Sequence, residues 1–363
     1  MQTLSGNSAD ARCYLIDAER LLRLRGLTKR EVSRRARLLH HVYTWLRIIG
    51  ESTFTLHDYD NSGLREKIEK AARNNRGVPD TSPISEQGSI DVDEHSQLDD
   101  FLRVETHGTD SDSDVDASKD QTAGLRDIHL ADLRKWSKTL YMDIYGIPEI
   151  WLSLVSQTTR VANIMDFLQR NSIQAAPVFS NSLQKKISRL EHMICSLSAQ
   201  YSGTRSLSPP GDGNNQSGTA TLKPSPAGQA MLRALGSALV ILFYRRIRKV
   251  HPWILQSHVM DVSAALKEFD LAQGGGTGTL GTPWPAFIAG CEAMSSSSRD
   301  WFMKWMQKGA ERSAFNGFTQ TQQVMREVWE RRDAAGNTAS HKRGEVYSWV
   351  DVLQEGRLWV MLY

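Results

Sequence analysis

A glycine-rich segment near residue 280 has the spacing of a phosphate-binding turn. Residues 276–281 read GTGTLG, which matches the GxGxxG pattern of dinucleotide-binding proteins. That pattern holds a pyrophosphate only between a strand and the first turn of a helix, where backbone N–H groups converge. Here the preceding residues 264–271 have a helical pattern, and Pro283 and Pro285 follow almost at once. This context argues against a phosphate site.

The histidines and cysteines lack the short spacings of a metal site. His40 and His41 are adjacent and point to different faces of a helix, whereas His251 and His258 are two turns apart with Pro252 between them. The three cysteines, at positions 13, 195 and 291, form no CxxC pair. We therefore expect neither a disulfide framework nor a metal centre.

Acidic residues are concentrated in residues 74–122. Asp99–Asp100 superficially resembles a metal-binding carboxylate cluster, residues 111–116 read SDSDVD like acidophilic kinase sites, and LDDFLRVE at 98–105 has the composition of an activation segment. The whole stretch is too poor in apolar residues to offset its ordering entropy, so we predict that it is disordered. A disordered segment cannot hold ligands in a fixed geometry.

From the motifs of the whole sequence, we predict no catalytic, cofactor-binding or metal-ligating residue, and we predict that the protein is not an enzyme.

Helical periodicity dominates the remaining sequence. Apolar residues recur at i, i+4, i+7, i+8 and i+11 from Leu38 to Ile49, and runs of alternating β-type residues are nearly absent. Similar stripes lie at 161–168, 187–197, 301–306 and 324–329, the third of which Gly309 could end as a C-cap. The sequence predicts an all-α, multi-helix domain, with aromatic stripes that pack in the core rather than form a ligand cage.

Two further segments complete the organisation of the chain. Residues 202–226 are rich in Pro, Gly, Ser and Asn, so we predict a second disordered insertion there. The apolar run at 234–244 is shorter than the roughly 20 residues that a membrane span needs, and it predicts a buried helix. We expect no membrane contact.

Charge alone does not point to nucleic acid. Lys and Arg total 44 against 41 for Asp and Glu, which gives a formal net charge of +3. Basic residues cluster at 29–37 and again at 245–249, where they could attract phosphate or an import receptor. We interpret both clusters as solvated helix faces.

Five blocks of the sequence have a distinctive wording. They are residues 22–53 (LRLRGLTK and onward), 145–166 (YGIPEIWLSLVSQTTRVANIMD), 238–259 (ALVILFYRRIRKVHPWILQSHV), 284–293 (WPAFIAGCEA) and 324–333 (VMREVWERRD). Together, and in this order, they resemble the fungal-specific transcription factor domain found downstream of a zinc binuclear cluster. Within that family they are most similar to the branch of arginine metabolism regulators.

The resemblance implies one regulatory domain over residues 1–363, similar to a middle homology region, in a nuclear protein. Such regions restrain activity, contact protein partners or a second copy, and in some cases respond to a metabolite effector. DNA reading in the family belongs to an N-terminal cluster of six cysteines with two zinc ions, which three scattered cysteines cannot supply. We therefore expect no zinc in this chain, and contact with DNA only indirectly or through a cluster further upstream.

Two other functions fit a helical chain of this composition. The first is a small-molecule-sensing domain with a pocket lined by tryptophans. The second is a helical terpene-cyclase-like enzyme, whose aspartates, such as Asp99–Asp100, would have to face a cavity from ordered helices.

The WPAFIAGCEA block allows residue-level expectations. Glu292 is expected to be buried and paired with a cation, which would make it costly to remove. Pro283 and Pro285 lie where a helix begins, a position that tolerates proline. The other residues are expected to pack, the large ones in the core and the small ones at close helix contacts: Trp284, Phe287, Ile288, Gly290 and Cys291.

Overall fold

The computed structural model describes residues 14–15, 17–18, 21, 34–54, 141–170, 177–203, 225–274, 281–313, 317–336, 346–356 and 358–362. The described helices are α1 (Arg34–Thr53), α2 (Tyr141–Tyr145), α3 (Glu149–Arg170), α4 (Pro177–Ser202), α5 (Pro226–Arg246), α6 (Gln256–Ala272), α7 (Trp284–Cys291), α8 (Ser296–Arg312), α9 (Gly317–Gly336) and α10 (Trp349–Glu355). A 3₁₀ turn at Pro252–Leu255 directly precedes α6. These residues contain no strand, so the predicted all-α class is confirmed.

Both predicted insertions lie wholly or mainly outside the described residues. The first insertion, residues 74–122, lies entirely outside them. It includes Asp99–Asp100 and the SDSDVD segment at 111–116. In the second insertion, 204–224 lie outside, while Ser202 ends α4 and Pro226 begins α5. Most of the GTGTLG segment also lies outside.

Helix α5 forms the centre of the core. Its start is set by Ser225, whose Oγ accepts a hydrogen bond from the Gly228 N–H at 3.1 Å, and by Pro226 at the first helical position. The predicted buried helix is confirmed, because nearly every side chain from Ala230 to Phe243 is buried, against α3, α4, α6 and α7. Among the described helices, only α5 is long and apolar enough to cross a membrane, yet 72% of its most apolar window is buried inside the protein.

Tryptophans join distant parts of this core. Four buried tryptophans each donate their indole N–H to an acceptor in a distant part of the chain, so none of these four nitrogens is left without a partner. The bonds run from Trp151 to the Leu235 carbonyl (3.1 Å), from Trp284 to Ser52 Oγ (2.9 Å), from Trp329 to the Gly290 carbonyl (3.0 Å) and from Trp359 to the Gly50 carbonyl (2.9 Å). These side chains serve core packing, as predicted for Trp284 and for Trp329 of the stripe at 324–329.

The WPAFIAGCEA block becomes the buried helix α7. All of its residues from Trp284 to Cys291 are buried, and Pro285 lies in the first turn. A Cβ added to Gly290 would come within 3.3 Å of Phe302 on α8 and would also meet Met325 on α9. The expectation of close helix contact at Gly290 is therefore confirmed.

The role predicted for Gly309 is wrong. Helix α8 continues past it to Arg312, and Gly309 is buried inside the helix. A Cβ at this position would overlap the Phe318 ring of α9. The close approach of α8 and α9 requires a residue without a side chain here, and this tertiary need outweighs the low helix propensity of glycine.

Candidate functional site: a buried charge network

Two arginines at the end of α5 turn into the protein and start a charge network that is buried except at Lys249. The network comprises Asp166, Arg245, Arg246, Lys249, Glu292 and Arg332. Arg245 Nε lies 3.0 Å from Glu292 Oε2, and Arg332 of α9 approaches the same oxygen through Nη2 at 2.7 Å. All three side chains are buried. The expectation that Glu292 is buried and paired is confirmed, with two guanidinium groups on one carboxylate.

The same arginines also satisfy backbone carbonyls. Arg332 donates from Nη1 to the Cys291 carbonyl and from Nε to the Tyr347 carbonyl, both at 2.6 Å. Arg245 donates from Nη1 to the Val250 carbonyl at 2.7 Å and from Nη2 to the Val346 carbonyl at 3.3 Å. These carbonyls lie where helices α5 and α7 end and just before α10, so the network ties together the ends of several elements.

Asp166 is the second anion of the network. It accepts a bond from Arg246 Nη2 and one from Lys249 Nζ, each at 3.0 Å. Arg246 also donates to Asn163 Oδ1 at 3.2 Å and lies over the Trp349 ring, 5.5 Å from its centroid. Burial alone would raise the pKa of Asp166, but Arg246 and Lys249 outweigh it and hold that pKa below its usual range.

The backbone at the end of α5 is shaped to bring these groups together. Lys249 has a φ of +52°, in the left-handed region that costs a non-glycine residue about 1–2 kcal/mol. The next residue, Val250, donates its N–H to the Tyr244 carbonyl at 3.0 Å. Arg248 meanwhile pairs with Glu191, which also accepts a bond from the Tyr244 hydroxyl at 2.9 Å. The turn thus directs the four cations of residues 245–249 onto carboxylates of three other segments.

Comparison with known families identifies the chain. A family model described as the fungal specific transcription factor domain matches residues 1–363. The chain belongs to this family. The family is regulatory, which gives the chain a role in the regulation of transcription. No curated protein and no solved structure gave a match.

The structure of this fungal transcription factor domain corrects the interpretation of its second basic cluster. Arg245 and Arg246 do not form a solvated face, because both are buried and paired, while Lys249 keeps about half of its side chain exposed. In the first cluster, Arg35 is exposed, and Lys29 and Arg30 lie outside the described residues. The physical reason for the error is that the partners come from distant segments, which local sequence does not reveal.

Asp166 was missed as a site residue, although its position carried a signal. It follows Val155, Thr159 and Ala162 at helical spacing, and all of these are buried on one face of α3. A carboxylate on a buried face predicts a buried cation opposite it.

The other candidate residues of the domain remain apart. His41 is buried and lies 4.2 Å, centroid to centroid, from the Tyr141 ring, whereas His251 accepts the Trp253 N–H at the 3₁₀ turn. Cys291 is buried, and burial raises the pKa of its thiol, while Cys195 is exposed. No group of three His, Cys, Asp or Glu side chains that could hold a metal ion occurs in the part of the chain that the structure describes.

Replacing Asp166 with asparagine is expected to lower the stability of the domain at neutral pH and to reduce its sensitivity to acid. The folded pKa of Asp166 lies below the unfolded value of about 3.9, so the carboxylate stabilises the fold above that pH. This contribution is lost as the pH falls through the folded pKa. Urea unfolding should show a stability gap between wild type and variant that is widest near neutral pH and narrows as the pH falls below about 3.9.

Asp143→Asn provides the control for that measurement, because Asp143 is exposed on α2. Its unfolding curves should follow wild type at every pH. A gap for Asp166→Asn that stays constant with pH would show that the two cations do not stabilise the carboxylate.

Proposed function

We propose that this chain is the regulatory domain of a zinc-cluster transcription factor in the branch of arginine metabolism regulators. It forms one domain over residues 1–363 and acts in the nucleus through protein contacts, a second copy among them, or by responding to a metabolite effector. It does so without a DNA-reading element of its own. Family membership over the whole chain supports the regulatory part of this proposal.

The observation that carries the mechanism is that the cations at 245–249 are already paired with carboxylates, and that two of them, Arg245 and Arg246, are buried. Recognition of DNA requires cations free to neutralise phosphates and an element held against base edges. Arg245 and Arg246 are instead buried on Glu292 and Asp166, and Arg248 pairs with Glu191. The cations of the most basic described segment are therefore already paired, which disfavours phosphate contacts at that segment.

A DNA-binding assay tests the first half of the proposal. A promoter fragment and scrambled DNA should bind equally weakly, or not at all, at about 0.15 M salt. A preference for the promoter above about a thousandfold, the lower limit for specific binders, would overturn the proposal.

A tethering assay tests the second half. The chain is fused to an unrelated DNA-binding domain and directed to a reporter promoter in a fungal cell. We expect the fusion to change reporter output relative to the DNA-binding domain alone. A fusion that is nuclear and abundant but leaves the reporter unchanged would contradict a regulatory action through protein contacts.

A further inference from the structure

The first half of α1 carries an apolar face that stays in contact with solvent. Its members are Leu38, Leu39 and Val42, with exposed fractions of 36%, 68% and 39%. At 3.6 residues per turn, the three side chains leave the helix within a sector of roughly 100°, and Arg35 is the one charged residue of this half of α1 in that sector. We call Leu38, Leu39 and Val42 the α1 face.

The α1 face is not the side by which α1 joins the domain. His41, Tyr43 and Trp45 lie on its other sides and are buried, and the Trp45 ring stacks on that of Tyr145 with 4.8 Å between the centroids. Among the described helices, α1 packs chiefly on α3. A substitution at Leu39, the most exposed member of the α1 face, therefore leaves the core packing in place.

The size of the α1 face favours an occupant from the same chain. Its three side chains present on the order of 250 Å² to solvent, whereas one side of a standard interface buries about 800 Å². A free partner would bind so small a surface weakly. A tethered segment needs less contact, because the tether supplies an effective concentration on the order of a millimolar.

The chain leaves the described fold and returns to it beside α1. The described residues stop at Phe54, just after α1, and resume at Tyr141, whose ring lies 4.2 Å, centroid to centroid, from that of His41. Residues 98–105 begin 44 residues after Phe54 and end 36 residues before Tyr141. A random chain of about 44 residues spans on the order of 35 Å, and Leu39 lies roughly 22 Å along the helix from Phe54. Residues 98–105 can therefore reach the α1 face.

The sequence of residues 98–105, LDDFLRVE, matches the α1 face in pattern and in charge. Leu98, Phe101 and Leu102 recur at i, i+3 and i+4, the spacing of a helix that docks by one apolar side. Three acids and one arginine give the segment a formal charge of −2. The first turn of α1 reads RRAR without an acid, and Arg35 is exposed beside the α1 face. The opposite charges attract the segment to this end of α1.

We propose that residues 98–105 bind the α1 face of the same molecule, with Phe101 and Leu102 against Leu39. The inference deepens the proposed function, on which its regulatory meaning rests. These residues have the composition of an activation segment, and while they are bound their apolar side chains are withheld from other proteins. The bound and free forms interconvert, because the contact is weak without the tether.

A labelled peptide with the sequence of residues 95–108 tests this inference by competition in the full chain. The double variant Phe101→Ser with Leu102→Ser disables the chain's own segment and leaves its α1 face open to the peptide. Wild type should bind the peptide at least about threefold more weakly than the double variant, because its own segment competes for the face. Titrations followed by fluorescence anisotropy measure both dissociation constants.

Two further variants make the test specific to the α1 face. Leu39→Glu, added to the double variant, should abolish peptide binding, because it places a carboxylate among the apolar side chains and repels the acidic peptide. Met260→Glu introduces the same charge at a residue of α6 that is 59% exposed, and it should leave binding unchanged. Circular dichroism of all these variants should match wild type.

Equal affinities of wild type and the double variant would overturn the inference, as would peptide binding that survives Leu39→Glu or no binding at all. A wild-type dimer that Leu39→Glu dissociates would assign the face to a second copy and overturn it too. The tethering assay keeps its failure apart from that of the proposed function. Docking without reporter output removes the regulatory function and leaves the docking, and reporter output without docking does the reverse.

Discussion

Glu292→Ala is expected to destabilise the domain by about 3–5 kcal/mol, the usual cost of removing one partner from a buried ion pair. The carboxylate is shared by Arg245 and Arg332, which both lie away from solvent. Without it, two guanidinium groups stay buried with backbone carbonyls as their remaining partners. Urea unfolding followed by circular dichroism measures the loss as a lower midpoint at an unchanged slope.

A surface pair of the same chemistry is the control. Glu355 is about half exposed and pairs with Arg331. Because water solvates both groups, Glu355→Ala should cost no more than about 1 kcal/mol. If the two glutamates proved equally costly, or both costs were small, the network would not stabilise the ends of α5 and α7 as its geometry indicates.

Trp284→Ala is expected to cost about 3–5 kcal/mol through the cavity that it leaves in a close-packed core. The Trp284 side chain is fully buried, and its ring meets that of Trp151 edge to face at a centroid separation of 5.1 Å. Its N–H bond to Ser52 is lost as well, which leaves a buried hydroxyl with one partner fewer. Thermal and urea unfolding should both show the change.

Two variants separate the contributions of Trp284. Trp284→Phe keeps an aromatic ring but loses volume and the hydrogen bond. Its free energy of unfolding should therefore lie between that of wild type and that of Trp284→Ala. Leu39→Ala removes an exposed side chain and should change stability by no more than about 0.5 kcal/mol. A Trp284→Ala variant as stable as Leu39→Ala would contradict the central place of α7 in the core.

The sequence alone was enough to predict the all-α class and several individual helices. The spacing of apolar residues along a helix depends on neighbours three and four positions away, so it can be read without knowledge of the fold. The apolar run at 234–244 therefore led directly to α5, and the WPAFIAGCEA block to the buried α7. Glu292 was also foreseeable, because a carboxylate inside an apolar block must find a cation.

What the tertiary structure alone decided is which distant groups meet. Arg246 lies 80 residues from Asp166, and Arg332 lies 40 residues from Glu292. No local pattern encodes such pairings. The basic residues at 245–249 therefore suggested a solvated helix face, whereas the fold brings the carboxylates of Asp166 and Glu292 into contact with them. Gly309 is a second example, because a side chain there would overlap the Phe318 ring on α9, which the local sequence does not show.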